Sequence, residues 1–200
     1  MVWDHEVAGS NPAIPTENLS MERIDFGVTY GYGEFIDKET QNHLLDWVQQ
    51  NRELLNQSDG NKITGVLEKI ETSPTEIIEM IRKKIVEMEG LHKFVDPMKS
   101  RTFLSVYGKN SKCDVHSDTS PNENFVHVRY NLMLSKPNKG GETIYDGHFL
   151  DIEERVLWRC VAEYSKHGSD EVLSNKPRTI ISFGFLIDKE EFERVSLAQR

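Results

Sequence analysis

The chain reads as an α+β protein: a sheet-on-sheet jelly-roll barrel with N-terminal helices packed on one sheet. Two observations predict this. Amphipathic helical patterns are confined to the front half of the sequence. After Pro97 the pattern changes to short strand-like runs separated by turn chemistry.

Residues 1–20 carry no periodic apolar pattern. Gly9, Ser10, Pro12, Pro15 and Asn18 make them a poor structural segment, so a disordered tail is expected. A second reading takes them as translated tRNA-gene sequence. Gly9-Ser10-Asn11-Pro12 can be encoded by GGT-TCG-AAT-CC, which resembles a T-arm, and the start would then be Met21. That would suit a compact, phage-like genome. The remainder, 21–200, is expected to form a single domain.

Residues 22–36 mix aromatic and glycine positions and suggest a short strand with turns. From Asp37 a helix is expected, with Leu44, Leu45, Val48 and Leu55 on one stripe, and 56–61 should be a loop. Ser73-Pro74-Thr75-Glu76 predicts an N-cap, a proline at the first helical position and a glutamate completing a capping box. Ile78, Ile81, Ile85 and Met88 then share a face, and Gly90 is the expected stop. Strands are expected at 101–107, 114–118, 126–134, 143–145, 155–164 and 179–187, with turns at Pro121-Asn-Glu-Asn124 and Lys136-Pro-Asn-Lys-Gly-Gly141.

Composition narrows the function classes. A formal charge of −9 argues against a broad grip on duplex nucleic acid or an anionic membrane. Two cysteines, Cys113 and Cys160, make no disulfide framework and suit a reducing compartment. With no long apolar run and no leader-like N-terminus, a cytoplasmic protein is expected. Oligomeric state is not legible.

The chemistry-bearing residues are His116, Asp118, His167 and Arg178. In His116-Ser117-Asp118 the two ligand-type residues are two apart on an expected strand and so share a face. His167 arrives after a later β-rich segment, and Arg178 opens the last strand. Two imidazoles and one carboxylate on one face of a metal leave three adjacent positions open, which suits non-haem Fe(II). An arginine nearby offers a planar fork for the far carboxylate of a dicarboxylic cosubstrate. An isolated H-x-D favours a surface turn over a metal site; the ordered set is the stronger signal. His127 is the nearest rival ligand, but it lies in another strand with no carboxylate two residues away, and His5, His43, His92 and His148 lack any such context.

With these residues in place, the segment 102–187 resembles the prolyl-4-hydroxylase-like branch of the Fe(II)/2-oxoglutarate-dependent dioxygenases. The matching features are Tyr107 before the H-x-D, the strand ending Leu132-Met-Leu-Ser135, then Gly140-Gly141-Glu142-Thr143, His167 and Arg178. The resemblance implies a double-stranded β-helix, with His116, Asp118 and His167 as Fe(II) ligands and Arg178 as partner of the 2-oxoglutarate C5 carboxylate. It implies an enzyme that uses Fe(II), 2-oxoglutarate and O2, with ascorbate as an accessory reductant. Oxidative decarboxylation of 2-oxoglutarate would be coupled to hydroxylation of a small-molecule or peptide substrate, a peptidyl proline among the options.

Strand parity extends this reading. In 126–134 the even positions are mostly apolar and the odd ones are His127, Arg129, Asn131 and Met133. A polar face is costly inside a barrel unless it lines a wet pocket; otherwise it is the solvated outside of the sheet. By the resemblance Arg129 and Asn131 fall at the cosubstrate or substrate pocket. Tyr107 contacts the cosubstrate through its hydroxyl or is a core aromatic. The chain departs from the family pattern at Ile180, where some members have serine, and in 168–177, which lacks the usual proline-valine turn. The loop 119–124 and the segment 28–35 are the expected pocket walls. Two rivals remain: a non-catalytic metal-binding barrel acting in protein interaction, and a Zn(II) hydrolase, which needs no dicarboxylate-binding arginine.

Overall fold

The computed structural model describes residues 21–57, 61–97, 101–120 and 122–198. The expected tail at 1–20, the middle of the expected loop at 56–61, and Pro121 lie outside the described residues. A hairpin of β1 (Arg23–Asp25) and β2 (Tyr30–Tyr32) leads into α1 (Lys38–Gln50), and a second hairpin, β3 (Asn56–Gln57) and β4 (Lys62–Val66), leads into α2 (Thr75–Glu89). There follow β5 (Phe94–Val95), β6 (Thr102–Tyr107), β7 (Cys113–His116), β8 (Phe125–Ser135), β9 (Thr143–Tyr145) and β10 (His148–Leu150). The chain continues through β11 (Leu157–Cys160), β12 (His167–Ser169) and β13 (Arg178–Asp188) to α3 (Lys189–Ala198).

The strands form two antiparallel sheets. The larger has nine strands in the order β1-β2-β11-β8-β13-β6-β4-β3, with β5 also on β13; the smaller has four in the order β10-β9-β12-β7. From β6 to β13 the chain passes back and forth between the two sheets, which makes the jelly roll that the sequence predicts. No helix among the described residues is long and apolar enough to cross a membrane.

The main core lies between the helices and one face of the large sheet. Val126, Val128, Tyr130, Leu132 and Leu134 of β8 and Ile181, Phe183, Phe185 and Ile187 of β13 meet Leu44 and Trp47 of α1 and Ile78, Ile81 and Ile85 of α2. Each such side chain contributes about 1.5–3 kcal/mol by leaving water. A smaller cluster that includes Met133, Tyr145, Trp158 and Cys160 fills part of the space between the sheets. The odd residues of β8 therefore face that inner space. A polar knot ties α2 to the sheet: the buried Glu89 carboxylate accepts hydrogen bonds from the hydroxyls of Tyr30 (2.7 Å), Tyr32 (2.8 Å) and Tyr130 (2.9 Å).

Local signals account for most element ends. Asp37 caps α1 by accepting from the Thr40 N–H at 2.6 Å. Leu55 lies past the end of that helix but is still buried. Gly90 ends α2 in the left-handed region (φ 61°), with the Leu91 N–H returning to the Val86 carbonyl at 3.0 Å. At the other end of α2 the expected capping box does not form. The Thr75 N–H turns back to the Ser73 carbonyl at 2.7 Å and Pro74, with ψ 62°, stays outside the helix, so the start moves one residue on.

Two expected strands are also shorter. The run at 114–118 ends at His116, because the Asp118 N–H crosses to the Ala162 carbonyl at 2.8 Å. The run at 155–164 contracts to β11, because Tyr164 and Ser165 both fold back onto the Val161 carbonyl.

Candidate metal centre

The small sheet brings the two histidines together. His116 ends β7 and His167 begins β12, and the two are register partners. Asp118, just past the end of β7, completes a group whose donor atoms all lie within 4.8 Å of one another. Each imidazole is oriented from behind: His116 Nδ1 is 2.8 Å from the Asp114 carbonyl, and His167 Nδ1 is 3.1 Å from the Ser165 carbonyl. An acceptor at Nδ1 selects the tautomer with its proton there, which leaves each Nε2 lone pair for a metal. Two nitrogens, one carboxylate oxygen and open adjacent positions match the donor set that Fe(II) takes in oxygen-activating sites. The residues fit the ion.

The charges around the group are mutually arranged. Hydrogen bonds that the His116 ring donates to Asp118 and Cys113 push it up to about 10. Burial acts to raise the Asp118 carboxyl, but the hydrogen bonds from His116 and Arg129 outweigh it and hold it well below the usual carboxylate range. Burial lowers His167. Burial, followed by the Arg129 charge, takes His127 down to about 4.

Arg178 is buried at the start of β13, opposite Tyr107 on β6. Its guanidinium carbon is 5.6 Å from the Tyr107 ring centroid, and one terminal nitrogen donates to Thr143 Oγ1 at 3.1 Å. Its Nε has no hydrogen-bond partner among the described residues. A buried cation with an open donor is costly unless an anion completes it. Arg178, Tyr107, Asn131 and His167 line one recess of about 50 Å³, so the guanidinium and one metal-site histidine share a cavity. Clefts of about 730 and 540 Å³ elsewhere hold none of these residues. Chemistry rather than size marks the site.

The structure thus gathers His116, Asp118 and His167, and places Arg178, Tyr107 and Asn131 together in the adjoining recess. Arg129 does not line that recess; its Nε donates to Asp118 Oδ2 at 2.8 Å. Of the expected pocket wall at 28–35, Gly33, Glu34 and Phe35 line the large clefts instead. Sequence reasoning missed Cys113, Thr143, Tyr145, Trp158 and Cys160, which also line the recess. Only Thr143 carried a signal, as the last residue of Gly140-Gly141-Glu142-Thr143.

No protein-family model matches the chain, and no curated protein matches it in sequence. Solved structures do match it in fold. A viral collagen prolyl hydroxylase from Paramecium bursaria Chlorella virus-1, in complex with 2-oxoglutarate, superposes with a TM-score of 0.63 at 14% identity, covering 82% of this chain and 98% of that one. A prolyl-4-hydroxylase from Pseudomonas putida gives 0.58 at 14% identity, covering 81% and 93%. A prolyl hydroxylase from Trichoplax adhaerens, in complex with a peptide fragment of a hypoxia-inducible factor oxygen degradation domain, gives 0.63 at 12% identity, covering 83% and 86%. At these identities the likeness establishes the double-stranded β-helix fold.

Proposed function

We propose that this chain is a non-haem Fe(II)- and 2-oxoglutarate-dependent dioxygenase that hydroxylates a peptide or small-molecule substrate. The observation that carries the reading is the shared cavity: His167 of the His116/Asp118/His167 group and the buried, incompletely paired Arg178 line the same recess. A hydrolytic zinc site has no use for such a guanidinium. The folds of the neighbours, prolyl hydroxylases among them, support the same reading.

In this reading His116, Asp118 and His167 hold Fe(II). Arg178 pairs with the distal carboxylate of 2-oxoglutarate, and Tyr107, Asn131 and Thr143 orient that end. The iron, with cosubstrate and O2, supplies the oxidising chemistry that yields succinate and carbon dioxide and hydroxylates a C–H bond. Tyr145, Trp158 and Ile180 wall the recess and exclude water from it. Residues 21–200 act as one catalytic unit, and the two free thiols, Cys113 and Cys160, support a reducing, cytoplasmic setting.

Succinate release tests the reading. Protein loaded anaerobically with Fe(II), given 2-oxoglutarate and ascorbate and then exposed to O2, should form succinate, and His167→Ala should not. Metal binding without succinate would favour a non-catalytic barrel. Proline-containing peptides are the first substrate panel, since one neighbour was solved with a peptide fragment bound.

A further inference from the structure

Asp118 divides its two oxygens between opposite sides. Oδ1 faces His116 Nε2 at 3.4 Å, on the metal side. Oδ2 accepts from Arg129 Nε at 2.8 Å, and His127 Nδ1 stands 3.7 Å from the same oxygen. Arg129 is itself braced, with one terminal nitrogen 3.3 Å from Ser182 Oγ, and its side chain is only 15% exposed. His127 is more enclosed still, at 7%. A shift of about 0.5 Å would bring its Nδ1 within bonding range of Oδ2.

We propose that Arg129, backed by Ser182 and His127, is a positioning residue that captures Asp118 Oδ2 and limits this carboxylate to one bond with the metal. The inference rests on the metal-site reading above. A free carboxylate beside a divalent ion is able to close on it through both oxygens. A charge-assisted hydrogen bond from a rigid guanidinium on one of them competes directly with that closure. The position that a two-oxygen Asp118 would fill therefore stays open for the cosubstrate. The arrangement also gives Arg129 a task separate from that of Arg178, although both are arginines on the large sheet.

The test uses Co(II) as a spectroscopic stand-in, since its visible absorption reports coordination number, together with a 2-oxoglutarate titration of the Co(II)-loaded full chain. Arg129→Leu is expected to change the Co(II) spectrum and weaken 2-oxoglutarate binding roughly ten-fold. Arg129→Lys keeps charge and bulk but loses the fork, and should shift the spectrum the same way; it serves if the leucine variant fails to fold. His127→Asn, whose amide stands in for Nδ1, should keep the wild-type spectrum, whereas His127→Leu should move it toward that of Arg129→Leu. Folded Arg129 variants with wild-type spectrum and 2-oxoglutarate affinity would overturn the proposal alone. Wild-type protein that binds no Co(II), or His167→Ala that binds it equally well, would remove the metal-site reading and this inference with it.

Discussion

His167 stands directly across from His116 in an antiparallel pair, with ring centroids 4.5 Å apart and planes inclined by 52°. Two of the three donors are thus fixed by the hydrogen-bond ladder between β7 and β12 rather than by loops. In the proposed reading, metal affinity would depend on how closely those two strands approach.

Gly168 sets that approach. A Cβ there would lie 2.7 Å from the Cys113 carbonyl oxygen and 3.0 Å from Val115 Cα, both backbone atoms that cannot turn aside. Gly168→Ala should force β12 away from β7, at a cost of about 1–3 kcal/mol of stability. Calorimetric titration should show weaker metal binding in the same variant, even though no donor has been changed.

Replacing Arg178 should separate binding from stability. Arg178→Leu is expected to lower 2-oxoglutarate affinity by about 2–5 kcal/mol, as the loss of one partner from an enclosed charge pair does. The same change removes a buried cation with an open Nε, so the melting temperature of the unliganded protein should hold or rise. A large fall in both would mean that the guanidinium is structural.

In the proposed reading, the His116–Asp118 pair should make metal uptake pH-dependent. His116 titrates at about 10 in the folded protein, above its ordinary 6.5, so folding favours its protonated form. Its stabilising contribution is complete below about 6.5 and is lost as the pH rises through about 10. A metal needs the neutral ring and must displace that proton. Apparent affinity should therefore climb by up to roughly ten-fold per pH unit across this interval, while the melting temperature of metal-free protein declines. Titrations in parallel with melting scans check both trends.

Glu89 is expected to matter for stability and not for the metal. Glu89→Leu removes the acceptor shared by three hydroxyls, of which those of Tyr30 and Tyr130 belong to buried residues, and should cost about 3 kcal/mol in urea unfolding; Tyr130→Phe, which removes one donor, should cost about 1 kcal/mol. Metal affinity should be unchanged in both.

The parts of this molecule that were legible from sequence are those with long periodic support. The eleven residues of β8 alternate cleanly, and that alternation separated the helix-covered face from the inner one. The order His116, Asp118, His167, Arg178 marked residues that do converge, because the first two are sequence neighbours and the others begin strands. The three-residue strands β10 and β12 are too short to show a period and have no counterpart among the expected strands, whereas β9, of the same length, was expected after the Gly140-Gly141 turn. The partner of Arg129 was equally hidden. Which polar group on an inner face meets which depends on where Asp118 goes after leaving β7, and the crossing to Ala162 decides that. The start of α2 failed for a local reason: Ser73 offered its carbonyl, not its side chain, to the turn.

The centre is graded in depth: the His116 side chain is 46% exposed at the rim, whereas Arg178 is 2% exposed beneath it. In the proposed reading, a cosubstrate anchored by the buried guanidinium would have to arrive before, and depart after, any larger partner that settles over the exposed histidine.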